Sequence, residues 1–201
     1  MADFTQVEKN LKARGFSVRI FPDAQAAAEY LDGAIDGVTV GFGGSVTLEQ
    51  LGLYDRLSGH NTVCWHWKKS GEEAAAARAA AAGADVYVTS VNGIAETGEL
   101  VNIDGSGNRV SSTLYGHKKV YFVAGSNKLA PTYEGAVWRA RNIASPKNAQ
   151  RLKRRTPCAA KGDRCYDCKS PERICRALVT LWGPMMGTEA EVILINEELG
   201  Y

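Results

Sequence analysis

The sequence predicts an α/β domain: a mostly parallel sheet flanked by helices, with one β-hairpin and an irregular cysteine-rich segment near the C-terminal end. Three observations carry this expectation. Short apolar runs alternate with helix-period segments along most of the chain, the rhythm of strands joined by crossover helices. The runs at 37–42 and 118–125 are apolar almost throughout, as strands covered on both faces are. The chain has 201 residues, of which 45% are hydrophobic and 23% charged. That suits one domain, residues 1–201, able to bury roughly 70% of its unfolded surface.

The elements follow in order. Residues 3–14 place Phe4, Val7 and Leu11 on one helical face, and Gly15 stops the helix. Residues 16–21 alternate as a strand does. Asp23 stands after Pro22 as a cap for a helix over AQAAAEYL. The strand 37–42 runs through Gly43-Gly44-Ser45 into a short helical stretch carrying Leu48, Leu51 and Leu53. TVCW at 62–65 is another apolar run, in which Cys64 reads as a core thiol. Ser70-Gly71-Glu72-Glu73 has the pattern of a capping box and opens an alanine-rich helix that Gly83 ends. A strand at 85–90 follows. ELVNI and RVSST flank the turn sequence Asp104-Gly105-Ser106-Gly107-Asn108, which predicts a β-hairpin. After the strand at 118–125, Pro131 opens a helix through Arg141, and Ser145-Pro146 opens another through about Arg155. Trp138, Arg139 and Arg141 on that stretch read as stem packing and solvated charge. Residues 177–182 and 191–199 read as final strands.

Bulk properties narrow the function classes. The net charge of +2 is too small to imply a polyanionic partner, so nucleic acid is not expected. No run approaches the roughly 18 apolar residues of a membrane span. The N-terminal residues carry charge where a signal peptide has its apolar core. The expected compartment is therefore the reducing cytoplasm, where clustered cysteines hold metal or do redox chemistry more often than they form disulfides.

Four of the five cysteines lie within residues 156–176, as Cys158-x6-Cys165-x2-Cys168-x6-Cys175. The central pair can bite one centre, and the flanking intervals let the chain wrap and present two more thiolates. Such a set closes a tetrahedral Zn²⁺ site or holds an iron–sulfur cluster. The spacing matches neither a ferredoxin nor a paired zinc ribbon, so it does not choose the metal. The long wrap around one C-x2-C favours a 4Fe–4S cluster over Zn²⁺. The surrounding arginines and lysines suit either, since both centres are anionic.

Two further stretches carry candidate ligand residues. Gly43 and Gly44 allow close backbone approach, Ser45 and Thr47 add hydroxyls, and the helix start beyond them can face an anion. The same residues also make an ordinary turn with Ser45 as the cap. Asn92, Glu96 and Thr97 follow a strand end, where open α/β sheets bind ligands. Glu96 is the candidate acid or base; a solvated hairpin face is the competing reading. His60, His66 and His117 form no triad pattern and read as structural or exposed.

GFGGSVTLEQLGLYDRL, NGIAETGELVNIDGSGNR, KKVYFVAGSNKLAP and AEVILINEELGY, in this order, resemble the LUD-domain family, the lactate-utilisation proteins of the LutC and YkgG type. The resemblance covers nearly the whole chain. It implies a sheet like that of the NagB/RpiA/CoA-transferase superfamily, with Gly43, Gly44, Ser45 and Thr47 lining a ligand site and Asn92, Glu96 and Thr97 facing the same cleft. It also implies an association with L-lactate oxidation through iron–sulfur proteins. The four-cysteine segment departs from the short members and marks a small subgroup.

Three functions follow as expectations. The first is an iron–sulfur redox protein or enzyme, an oxidoreductase component or a dehydratase-like lyase, acting on a small anionic hydroxy acid with a redox protein partner. The second is a zinc-stapled binding or assembly subunit without catalysis. The third is a phosphate- or CoA-ester-handling enzyme using Glu96. Substrate and oligomeric state stay open at this level.

Overall fold

The computed structural model describes residues 2–201. In chain order its helices are α1 (Thr5–Ala13), α2 (Ala24–Ala34), α3 (Val46–Gln50), α4 (Leu53–Leu57), α5 (Gly71–Ala82), α6 (Asn108–Leu114), α7 (Tyr133–Arg139), α8 (Ser145–Arg151) and α9 (Pro157–Lys161). Its strands are β1 (Ser17–Phe21), β2 (Thr39–Phe42), β3 (Thr62–Cys64), β4 (Val86–Ser90), β5 (Gly93–Ala95), β6 (Leu100–Asp104), β7 (Lys119–Gly125), β8 (Leu129–Ala130), β9 (Ala177–Leu181) and β10 (Glu189–Ile195).

Six strands form one sheet in the order β1-β10-β7-β4-β2-β3, parallel throughout. Its centre alternates between two cores, as the two-residue strand period requires. Val192 and Leu194 of β10 and Val120 and Phe122 of β7 join Val7 and Leu11 of α1. Ile193 and Ile195, with Tyr121 and Val123, join Leu31 of α2, Leu48 of α3 and Leu57 of α4. Both faces are thus dry, which is why these strands read as continuous apolar runs. Cys64 is half-buried and packs against the first core, close to the expected core thiol.

A second sheet, β8-β5-β6-β9, holds the antiparallel pairs. The expected hairpin exists but lies one element earlier. β5 pairs with β6 through Gly93↔Val101 and Ile94↔Leu100. RVSST is not its second strand; it belongs to α6. Asp104 redirects the chain by accepting from the N–H groups of Ser106 and Gly107. Gly107 takes a left-handed φ of 84° before the helix begins. β9 pairs antiparallel with β6 and closes the far side.

Local signals were realised unevenly. Asp23 caps α2 through the N–H of Ala26, whereas Ser70 makes no side-chain cap on α5, so the capping-box pattern is not used. The short helical stretch breaks into α3 and α4 at Gly52, whose φ is 61°. The two helices expected around residue 145 are one continuous rod. A π-turn over Ala140–Ala144 joins α7 to α8 and absorbs Pro146, which has no N–H to give.

Candidate functional site

β3 lies on one side of β2 and β4 on the other. The connections therefore diverge at the carboxyl ends of β2 and β4, the place where open α/β sheets leave a crevice. A cavity of about 940 Å³ opens there. Its floor comes from Gly44, Ser45 and Thr47 after β2, Ser90 at the end of β4 and Asn92 beyond it, Lys128 after β7, and Gly200 and Tyr201 beyond β10. Trp67 and His66 form one side, and Asn148 and Arg151 of α8 another. Residues Pro171–Ile174 and Arg176 of the cysteine segment complete the wall.

The two glycines of the turn make room for the protein's own side chains. A Cβ on Gly43 would stand 2.7 Å from Thr89 Oγ1, and one on Gly44 2.8 Å from Trp67 Nε1. Ser45 accepts from the N–H of Leu48 and caps α3, the ordinary-turn reading. α3 has only five residues, so the expected anion attraction of a helix start is small here. Side chains supply it instead. Eight lysines and arginines line the cavity against three carboxylates, Glu49, Asp104 and Glu172.

Sequence reasoning missed the residues that hold this floor. Arg109 is largely buried, its side chain 11% exposed, and fully engaged. It donates to the Ser90 and Ile103 carbonyls and to the side-chain oxygens of Asn92 and Asn102. Burial pushes its pKa down, and Asp104 opposes that push. Arg139, read from the sequence as solvated charge, is 6% exposed. Its Nε donates to the Asn127 carbonyl at 2.6 Å, and its Nη1 donates to the Asn92 carbonyl. It clamps the loops after β4 and β7, and burial lowers its pKa to about 10. His66 also faces the cavity. Its pKa is lowered by burial and then by Arg78 and Arg151, and its buried Nδ1 has no hydrogen-bond partner.

The structure divides the predicted ligand residues. Gly44, Ser45, Thr47 and Asn92 line the cavity; Gly43 supports it from behind. Glu96 and Thr97 do not line it. They sit in the β5–β6 turn beside α1, where Asn10 donates to the Glu96 carbonyl and Arg14 to that of Thr97. The Glu96 side chain is exposed and the structure gives it no place in the cleft. Thr97 bonds Glu99, which pairs with Arg14, so this polar cluster ties the turn to α1.

All five cysteines are free thiols, and the four of the segment are half-buried. Asp167, at φ 45°, turns its N–H onto Cys165 Sγ at 3.4 Å. Arg141 reaches Cys165 Sγ at 4.0 Å, and Arg173 reaches Cys175 Sγ at 3.5 Å and the Cys168 carbonyl at 2.8 Å. Thr156 contacts Cys158 Sγ at 3.3 Å. The thiol number, the turn and the cationic surroundings fit a thiolate-bound metal centre. Convergence does not: among the described residues no group of three or more His, Cys, Asp or Glu is gathered closely enough to hold a metal ion. The arginines order the segment, and two links dock it on the cavity rim. Arg176 N–H donates to the Asp104 carbonyl, and Gly105 packs against the Ile174 backbone.

The family model for the LUD domain matches residues 4–195. The crystal structure of a DUF162 family protein from Deinococcus radiodurans shares the fold, with a TM-score of 0.52 and 12% identity over 96% of this chain and 95% of that one. Ribose 5-phosphate isomerase A from Neisseria gonorrhoeae gives a TM-score of 0.35 and 19% identity over 53% of this chain and 52% of its own. No curated protein matches the chain. Among the described residues no helix is long and apolar enough to cross a membrane. The chain belongs to the LUD-domain family.

Proposed function

We propose that this LUD-domain protein binds a small anionic metabolite of the hydroxy-acid or 2-oxo-acid class in the basic cleft, beside a 4Fe–4S cluster held by Cys158, Cys165, Cys168 and Cys175. One observation supports the pairing of the two sites. The wall of the cavity formed by Glu172, Arg173, Ile174 and Arg176 belongs to the cysteine segment. A ligand in the cleft therefore lies against the chain that would carry the metal.

This chain's own residues have defined tasks in that reading. The excess cations attract a carboxylate, and Ser45, whose oxygen accepts from Leu48, keeps its hydroxyl hydrogen to donate to it. Trp67 keeps one side of the site apolar. Arg141 and Arg173 place positive charge beside Cys165 and Cys175. The cluster, when bound, supplies one-electron transfer, and a redox protein is the partner that such transfer requires.

Anaerobic purification with analysis of iron, sulfide and zinc tests the metal. Iron and sulfide in equal, stoichiometric amounts with broad visible absorption are expected; one zinc per chain and no colour would make the segment a structural staple. Titration with L-lactate or pyruvate, read by quenching of tryptophan fluorescence, tests the cleft. Saturable binding that weakens with salt is expected, and no binding at any salt would remove the anion-site reading.

A further inference from the structure

The two sheets end on four edge strands, and three of these are guarded against pairing with another chain. β3 has three residues and β8 two, too short to template a strand. β1 has five, but Arg19 stands at its middle with its side chain 57% exposed. β9 has five residues and no such guard. From Ala177 to Trp182 the chain holds no charge, proline or glycine. Among the described residues no strand pairs with the outer side of β9. Ala95 N–H donates to the Glu99 carbonyl, so residues 99, 101 and 103 turn their main-chain groups toward β5. Residues 100, 102 and 104 turn theirs toward β9, where they meet Leu181, Val179 and Ala177. The N–H and C=O groups of Leu178 and Thr180 are left pointing outward. Leu178 and Trp182 stand on the same face of the strand as Thr180, and they are 43% and 70% exposed.

We infer that a second copy of this chain pairs antiparallel with β9 across a two-fold axis and joins the two β8-β5-β6-β9 sheets into one continuous sheet. The inference is independent of what the cleft or the cysteines hold. A two-fold axis sets each residue of an edge against the same edge, so a charge there tends to meet its own kind. The neutral run 177–182 avoids that repulsion. With Val179 on the axis, Leu178 exchanges both main-chain bonds with the partner's Thr180, and Thr180 exchanges both with the partner's Leu178. The same register brings Arg176, which is exposed, alongside the partner's Trp182, a cation beside an open indole. Arg176 also belongs to the cleft wall, so the seam reaches the cleft. The seam is about 20 Å long. With two indoles and two leucines it buries roughly 1,000 Å² in total, the lower bound of a specific interface. The dimer is therefore reversible, with a dissociation constant in the micromolar range.

Analytical ultracentrifugation of the full chain with a reductant present, from about 1 to about 200 μM, tests this. The mass should move from one chain toward two across that range. Amide hydrogen exchange locates the seam: Leu178 and Thr180 should exchange several-fold more slowly at the high concentration, while the amides of β1 stay unchanged. Leu178→Lys sets two charges about the axis and should raise the dissociation constant roughly tenfold or more. Leu178→Pro removes an outward N–H at a place where an edge strand tolerates proline, and should leave a folded monomer. Ile20→Lys, the matching change on the β1 edge, should leave the dimer intact. A chain that sediments as a monomer at every concentration would overturn the inference. So would a dimer that survives both Leu178 variants. Exchange at Leu178 and Thr180 that ignores concentration would overturn it in the wild-type chain, without recourse to any variant.

Discussion

β10 and the cysteine segment are built in opposite ways. Val192, Ile193, Leu194 and Ile195 are fully buried, and each is worth about 1.5–3 kcal/mol of apolar burial. Residues 158–176 contain no fully buried side chain and no strand. They are held by Arg173 on the Cys168 carbonyl, by Arg155 on Glu172 and by the turn at Asp167. The centre of the sheet cannot move without emptying a core. The cysteine segment has no such core behind it and rests on polar contacts alone.

The contrast can be broken at its strongest point first. Ile193→Ala, in the middle of the sheet, should cost about 2–5 kcal/mol in denaturant unfolding. Arg139→Met should cost about 2–4 kcal/mol, since the buried carbonyls of Asn92 and Asn127 lose a charged donor; weaker pyruvate binding should accompany it. Gly43→Ala should cost about 1–3 kcal/mol as its Cβ meets Thr89 and Arg109. Cys165→Ser should change the unfolding free energy of the metal-free protein by less than about 1 kcal/mol, yet remove iron and sulfide from the anaerobically purified one. A large stability loss in the metal-free protein would mean that the segment is part of the core after all.

A pH series sharpens the same comparison. The folded pKa of Lys128, about 7, lies below the ordinary lysine value of 10.5. Between those values the unfolded chain binds a proton that the folded chain does not, so this group's contribution to stability rises with pH across the window. Wild type should therefore gain stability relative to Lys128→Met from pH 7 to pH 10. A flat difference in thermal or denaturant unfolding would show that the folded amine is not shifted.

Much of the fold was legible because its signals are local. β7 and β10 announce themselves as apolar runs, and Asp23 and Gly15 mark helix ends by their own chemistry. The hairpin was misplaced because Asp104-Gly105-Ser106-Gly107-Asn108 has the composition of a hairpin turn, while Asp104 and the φ of Gly107 redirect the chain into α6. Ser45, Thr47 and Asn92 line the cavity because they follow strand ends, where open α/β sheets leave a crevice. Glu96, expected there on the same rule, does not line it: its turn is at the opposite end of the β5–β6 hairpin and packs on α1. A lysine just past the glycine that ends a buried strand, as in Gly125-Ser126-Asn127-Lys128, was the signal available for Lys128.

By itself the sequence determined the family, the parallel core strands and the thiol spacing of residues 158–175, all set by order and interval along the chain. Tertiary structure alone decided that the cysteine segment walls the cleft, that Arg139 is a buried clamp, and that Lys128 meets Tyr201 from 73 residues away. Burial and charge environment depend on which distant segments arrive together. A lysine's chemistry follows from that environment, and no local spacing encodes it.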